Sequence, residues 1–297
     1  MRVLVTGAGG MVGQAVVAHC AALGDQVAAH DHSSLDITDS RALSETFARE
    51  RPETVINCAA WTDVDGCELD AERAYSVNAE GPRVLAAEAR RCRASLVTIS
   101  TDYVFDGEKQ GFYTQRDDPN PQSVYGAAKL EGERRAQAES ARTVIVRTGW
   151  IFGVGGRNFL SRVIELAASG VHLSAIKDAY GTPTYAQDLA ARLRLLAERD
   201  LPGIYHVTNS GEGTSYEEFT RAALAESGHR ADIEVISMDS LKRPAPRPRN
   251  ARLRCLVSEA MGLEPLPFWL DSLKDFVTSP PESASRAEAQ KRPARLV

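Results

Sequence analysis

The chain has 297 residues, 43% of them hydrophobic and 25% charged, with 22 Gly and 14 Pro. That balance belongs to a globular protein with apolar material for a sizeable core, and it excludes a disordered or collagen-like chain. The 40 acidic residues against 35 basic ones give a net charge of -5, which lays down no electrostatic footprint for nucleic acid.

Arg2 to Thr6 predicts a strand, ended by Gly7, and Val12 to Leu23 a helix, stopped by Gly24. The Met-Arg start runs directly into Val3-Leu4-Val5, which reads as that strand rather than as a signal peptide. Gln26 to Ala29 and Thr54 to Cys58 predict two more strands. Glu68 to Arg91, rich in Ala, reads as one long helix. Leu96 to Ser100 is a fourth strand, Val124 to Ala138 a helix and Val144 to Val146 a fifth strand. Strands alternating with helices through short connections predict a parallel sheet covered on both faces, and runs such as Val144-Ile145-Val146 suit strands buried on both sides. Beyond about residue 150 the alternation weakens. Phe159 to Ala168 and Gln187 to Glu198 read as helices and Ile204 to Val207 as a strand. Thr214 reads as the N-cap of another helix, in a capping box with Glu217. Lys242 to Arg249 is too proline-rich for regular structure. Ser279 to Val297 shifts to Pro, Ser, Ala and charge and reads as a disordered tail. No apolar run approaches the roughly 18 residues of a membrane span. The five cysteines (Cys20, Cys58, Cys67, Cys92, Cys255) form no C-x-x-C and read as reduced thiols of a cytoplasmic protein.

Gly7, Gly10 and Gly13 stand at G-x-x-G-x-x-G spacing between the first strand and the first helix. The first permits the tight turn. The second lets the backbone approach a pyrophosphate, and the third lets the helix pack on the sheet, with the helix N-terminus as the anion site. Asp31 follows Gly7 at the end of the second strand, where a carboxylate bonds a ribose 2′-OH. No Arg lies within Ala28 to Leu35 to receive a 2′-phosphate, so NADH is favoured over NADPH.

Tyr125 and Lys129, four apart, share one helix face. A tyrosine can give a proton to a ketone oxygen as hydride reaches the carbon. At ~4 Å and an effective dielectric of ~20, a lysine gains about 4 kcal/mol against the phenolate. That attraction lowers the phenol from its free pKa of about 10 by about one to three units. Ser100-Thr101-Asp102 closes the fourth strand at its carboxyl end, where a hydroxyl can polarise a substrate carbonyl.

These residues together resemble the extended short-chain dehydrogenase/reductases. Asn57-Cys58-Ala59-Ala60-Trp61-Thr62-Asp63-Val64-Asp65, Ser100 to Phe105, Tyr125-Gly126-x-x-Lys129-x-x-Gly132-Glu133, Arg147 to Trp150, Gly181 to Thr184 and Arg247 to Leu253 narrow the resemblance to the dTDP-4-dehydrorhamnose reductase family, over about residues 1 to 276. The resemblance implies NADH- or NADPH-dependent reduction of the 4-keto group of dTDP-6-deoxy-L-lyxo-4-hexulose to dTDP-L-rhamnose. It implies a catalytic triad of Thr101, Tyr125 and Lys129. Gly7, Gly10, Met11, Val12 and Gly13 meet the pyrophosphate, Asp31, Asp36 and Ile37 the adenosine half, and Ala59, Ala60, Trp61 and Thr62 line the cofactor. Asp102 and Trp150 contact the sugar, and Arg249 and Asn250 reach the substrate diphosphate.

The expected fold class is α/β, a Rossmann-type doubly wound parallel sheet with a smaller C-terminal α/β substrate lobe. The dinucleotide-binding domain spans 1–149 and about 181–209, and the substrate lobe about 150–180 and 210–278. The expected partner is a nucleotide-sugar substrate, with no nucleic acid and no membrane; a homodimer is compatible with the resemblance. Two departures stand out. Some members bind Mg²⁺ through interface glutamates, one of them two residues after the last glycine of the turn. Ala15 stands there, and no metal is expected. Gly149 replaces the usual serine between Thr148 and Trp150. Rival readings are another sugar-nucleotide 4-ketoreductase or epimerase, and a non-catalytic partner resembling the regulatory subunit of methionine adenosyltransferase.

Overall fold

The computed structural model describes residues 1–156 and 158–278; the tail expected over 279–297 lies outside them. The chain opens with β1 (Arg2–Thr6), α1 (Met11–Ala22), β2 (Gln26–His30), α2 (Ser40–Glu50) and β3 (Thr54–Asn57). It continues through α3 (Val64–Leu69), α4 (Ala71–Tyr75), a π-helical turn (Ser76–Glu80), α5 (Gly81–Cys92), β4 (Ser95–Thr101), α6 (Val124–Glu139) and β5 (Thr143–Thr148). The second half contains β6 (Ile151–Phe152), α7 (Phe159–Ala168), β7 (Leu173–Ile176), β8 (Tyr180–Gly181), β9 (Thr184–Tyr185), α8 (Ala186–Arg199), β10 (Gly203–His206) and β11 (Asn209–Ser210). It ends with β12 (Thr214–Ser215), α9 (Tyr216–Glu226), β13 (Ile233–Ile236), β14 (Asn250–Ala251), α10 (Leu256–Ala260), β15 (Leu266–Phe268) and α11 (Trp269–Thr278).

Six strands form one parallel sheet in the order β10-β5-β4-β3-β1-β2. The order reverses between β1 and β3, so the carboxyl ends of these strands open a crevice at the switch point. Alternate residues of the central strands enter opposite cores. Val3, Val5, Ile56, Val97, Val144 and Val146 pack with Leu189 and Leu193 of α8, while Leu4, Val55 and Leu96 pack with Leu43 and Phe47 of α2 and Leu85 of α5. A third core, rich in aromatics, joins Phe152, Leu160, Val163, Phe219, Trp269 and Leu273 through α7, α9 and α11. No helix among the described residues is long and apolar enough to cross a membrane.

Local chemistry moves several boundaries from the sequence expectation. The long helix predicted over 68–91 is broken at Asp70 (φ -139°, ψ 77°), whose side chain accepts from Arg73 N and restarts the helix as its N-cap. From Ala71 the helix runs to Cys92 through the π turn, which buries Asn78. Helix α2 has no counterpart in the sequence reading, although Asp39 caps it by accepting from Arg41 N and Ala42 N. The capping box lies one residue later than expected. Thr214 and Ser215 pair with β8, so Ser215 is the last extended residue and closes the box with Glu218.

Phe47 is fully buried in the α2 layer. Phe47→Ala is expected to cost about 3–5 kcal/mol of folding free energy, read from the urea midpoint.

Candidate active site

The glycine turn is built by contact with its neighbours. Gly7 sits at φ +67°, and a Cβ there would stand 2.6 Å from Ala59 N. A Cβ on Gly13 would stand 2.1 Å from the Gly7 carbonyl oxygen, so α1 can begin this close to β1 only with glycine. Gly10 differs, since the nearest atom to its Cβ direction is Gly7 O at 3.4 Å. It is also the N-cap of α1, with no side-chain cap, which leaves the helix start free to receive an anion.

Two adjoining cavities run from this turn along the strand ends. One, of ≈ 560 Å³, is lined by Gly7, Gly9, Gly10, Asp31, Asp36, Ile37, Ala59, Ala60 and Trp61. The other, of ≈ 570 Å³, shares Gly9, Gly10, Ala59 and Ala60 and adds Met11, Val12, Gly13, Thr62, Thr101, Asp102, Tyr125, Lys129 and Trp150. Tyr125 and Lys129 thus open onto the same space as the glycine turn. A dinucleotide-sized crevice that joins a bare helix N-terminus to a carboxylate at the far end fits a nicotinamide dinucleotide. Asp31 is exposed there, its carboxylate held by Ser33 and Ser34, whose hydrogen bonds keep its pKa below the usual range. Arg73 of α4 lines the same cavity, with its guanidinium 4.4 Å from the Trp61 ring centre. An arginine therefore does reach the Asp31 end of the crevice, from a helix outside the Ala28 to Leu35 segment.

The loop that carries Ala59 to Thr62 is fixed from the π turn. Asn78 Oδ1 accepts from Trp61 N at 3.0 Å and Asn78 Nδ2 donates to Trp61 O at 2.9 Å. Gly132 of α6 lets that turn approach, because a Cβ there would stand 2.1 Å from Asn78 O.

Ser123 caps α6 by accepting from Gly126 N, and the helix then turns Tyr125 and Lys129 toward the end of β4. Thr101 Oγ1 donates to Asp102 Oδ1 at 3.0 Å and accepts from Tyr103 N at 3.2 Å, and its hydroxyl acts against the rise in the Tyr125 pKa. Lys129 Nζ donates to the Ile99 carbonyl at 2.6 Å. Desolvation dominates each group. It pushes the Tyr125 phenol above its ordinary value, partly offset by Thr101, and pulls Lys129 down to about 8, with Glu133 acting against the fall. Asp102, 2% exposed, is pushed up to about 7, again by burial. The expectation that Lys129 draws the phenol's pKa down is therefore reversed. Burial wins, and the phenol keeps its proton at neutral pH.

Asp102 Oδ2 is buried with no hydrogen-bond partner among the described residues. It occupies the space left by Gly149, where a Cβ would stand 2.0 Å from it. Trp150, in a left-handed conformation (φ 49°), stacks on Tyr216 at 3.8 Å between ring centres. Tyr103 meets Tyr125 edge-on at 5.7 Å. Arg249 and Asn250 are not brought to this cavity. Arg249 is exposed and pairs with Asp178 at 2.8 Å and with Asp239. The Asn250 amide donates to the carbonyls of Lys109 and Gly111, both at 2.6 Å. From the same proline-rich loop, Arg243 and Arg247 act electrostatically on the Tyr216 phenol, and Arg247 also on that of Tyr103. The sequence reading assigned no role to Tyr103, Tyr216, Arg243, Arg247 or Glu133. The available signals were the loop's arginine spacing and the four-residue step from Lys129 to Glu133.

Fold and crevice define a Rossmann-type NAD(P)-dependent reductase of the short-chain dehydrogenase/reductase class. A family model described as "RmlD substrate binding domain" matches residues 1–280. The chain is 40% identical over 281 residues to a dTDP-4-dehydrorhamnose reductase from Streptomyces griseus, covering 92% of each chain. It is 36% identical over 276 residues to the spore coat polysaccharide biosynthesis protein SpsK of Bacillus subtilis, covering 93% of this chain and 96% of the relative. The crystal structure of dTDP-4-dehydrorhamnose reductase from Bacillus anthracis in complex with NADP superposes with a TM-score of 0.90 at 32% identity, covering 92% and 97% of the two chains. The protein belongs to the dTDP-4-dehydrorhamnose reductase family, and it is an NAD(P)H-dependent sugar-nucleotide oxidoreductase.

Gly13→Ala is expected to weaken NADPH binding roughly tenfold or more, about 1.4 kcal/mol or above, measured by cofactor fluorescence titration. An unchanged affinity would separate the turn from the cofactor.

Proposed function

We propose that the protein reduces the 4-keto group of dTDP-6-deoxy-L-lyxo-4-hexulose to dTDP-L-rhamnose, with Tyr125 as the proton donor. The observation that carries the reading is that Tyr125, Lys129, Thr101 and Asp102 share one cavity with the glycine turn, with Thr101 donating to Asp102 at 3.0 Å. The cofactor, when bound, supplies hydride; the residues of the chain do the rest. Gly10, Met11 and Val12 receive the pyrophosphate at the start of α1. Asp31, Asp36 and Ile37 hold the adenosine half, with Arg73 as the cation available to a 2′-phosphate.

A phenol that keeps its proton at neutral pH is in the right state to deliver it to an oxygen gaining negative charge. Thr101 orients that oxygen, and the Lys129 ammonium favours the phenolate left behind. Asp102, with one oxygen unpaired, takes a sugar hydroxyl, and Trp150 on Tyr216 gives the sugar an aromatic wall. Arg243 and Arg247 act on Tyr103 and Tyr216, Arg247 while paired with Asp65 at 3.0 Å, and their guanidinium forks suit the oxygens of the substrate diphosphate. The aromatic core of α7, α9 and α11 forms the substrate lobe over the crevice.

The decisive assay is cofactor oxidation with the dTDP-keto-sugar, run with NADH and with NADPH. Oxidised cofactor equal to product excludes an epimerase. No turnover with dTDP-, UDP- or GDP-keto-sugars would favour the non-catalytic partner. Tyr125→Phe is expected to lower turnover by roughly 10²- to 10⁴-fold with cofactor affinity kept; unchanged turnover would remove Tyr125 from its role.

A further inference from the structure

Glu133 ends the motif Lys129-x-x-Gly132-Glu133 and has no part in the chemistry above. It is 3% exposed and lies one helical turn beyond Lys129 on the same stripe of α6. Its carboxylate reaches two strands at once. Ser100 Oγ donates to Oε1 at 2.5 Å, and Arg147 grips both oxygens through Nε at 3.0 Å and Nη2 at 2.7 Å. Ser100 and Arg147 are partners across the β4–β5 ladder. One carboxylate therefore ties α6 to both strands where β4 delivers Thr101. Lys129 completes the ring by donating to the carbonyl of Ile99, the residue before Ser100.

A lone carboxylate at this depth would carry a desolvation penalty of several kcal/mol. The buried Arg147 fork offsets it, and the guanidinium itself rests over the Phe105 ring at 5.2 Å. Glu133 in turn is the charge that opposes the desolvation of Lys129. The other titratable groups around α6 are engaged elsewhere. Asp102, beyond β4, and Cys67 of α3 act on Tyr125. His206 of β10 sits beyond Arg147 and is held neutral, with a pKa of about 4. Glu80 of the π turn, Arg83 of α5, and Glu131, Arg135 and Glu139 of α6 pair among themselves.

We propose that Glu133, braced by Arg147, is a positioning residue of the reduction: it locks Lys129 and the end of β4 to one another and supplies the buried counter-charge of the Lys129 ammonium. This rests on Tyr125 and Lys129 acting as described under Proposed function. Removing the carboxylate takes away the one attraction and frees a guanidinium nearby, and both changes disfavour the charged lysine.

The test titrates Lys129 itself by NMR in protein carrying lysine labelled at Cε, with the signal assigned by its loss in Lys129→Arg, and measures the pH profile of kcat in parallel. In Glu133→Gln the Lys129 midpoint falls by about half a pH unit or more, and the alkaline limb of kcat moves to lower pH with it. Glu133→Asp, which keeps the charge, recovers most of that change. The double variant Glu133→Gln with Arg147→Met removes both charges together and leaves neither orphaned, so it serves should the single variant not fold; its midpoint also falls, by less than in Glu133→Gln, because the repelling guanidinium is gone too. A midpoint equal to that of the unsubstituted protein in both variants overturns the proposal. A midpoint that moves while the alkaline limb stays in place supports the electrostatic tie and removes Lys129 from the reaction, which overturns the functional reading instead.

Discussion

Helix α6 lays Tyr125, Lys129 and Glu133 along one buried stripe against the carboxyl end of β4. A stripe of that kind is ordinarily apolar, and each polar group on it needs a partner that water no longer supplies. The partners come from the strand ends: the Ile99 carbonyl for Lys129 and Ser100 and Arg147 for Glu133, with the Thr101 hydroxyl acting on the Tyr125 phenol. Slipping the helix by a turn, or the β4–β5 register by a residue, would leave several of them unmet at once. The position of the whole cluster follows from that constraint.

The same burial sets the chemistry. Desolvation moves the phenol up, the ammonium down and the Asp102 carboxyl up, each toward its neutral form. The consequences differ because the starting points differ. The phenol becomes a firmer holder of its proton, whereas the lysine and the aspartate come to titrate near neutrality. Groups driven apart in this way within one crevice are characteristic of acid–base sites. Gly149 contributes by absence, since it leaves room beside Asp102 that a side chain would fill.

The first half was legible because its signals are local. Apolar runs marked β1, β4 and β5, the first closed by Gly7 and the last by Gly149, and a glycine triplet between a strand and a helix has few other uses. The errors arose where local signals competed. Asp70 caps the helix over 71–92 inside a stretch whose composition is helical throughout, and composition cannot show that a side chain has turned back to accept from the backbone. Thr214 and Ser215 both suit a capping box, and strand pairing with β8 decided between them. In the proline-rich loop, Arg243, Arg247 and Arg249 look alike in sequence. Their partners differ: Asp178 and Asp239 hold Arg249 at the surface, Asp65 pairs with Arg247 at 3.0 Å, and Arg243 and Arg247 both act on the Tyr216 phenol.

By itself the sequence determined the parallel α/β architecture, the glycine turn at the start of α1 and the Tyr125–Lys129 spacing, because each depends on residues within a few positions of one another. Only the tertiary structure decided which charges act on which. It brought Arg73 to the Asp31 end of the crevice, joined Glu133 to Ser100 and Arg147 across two strands, and set the direction in which Tyr125 and Lys129 titrate. Desolvation and the pairing of distant charges depend on everything packed around a group, and one-dimensional order does not contain that information.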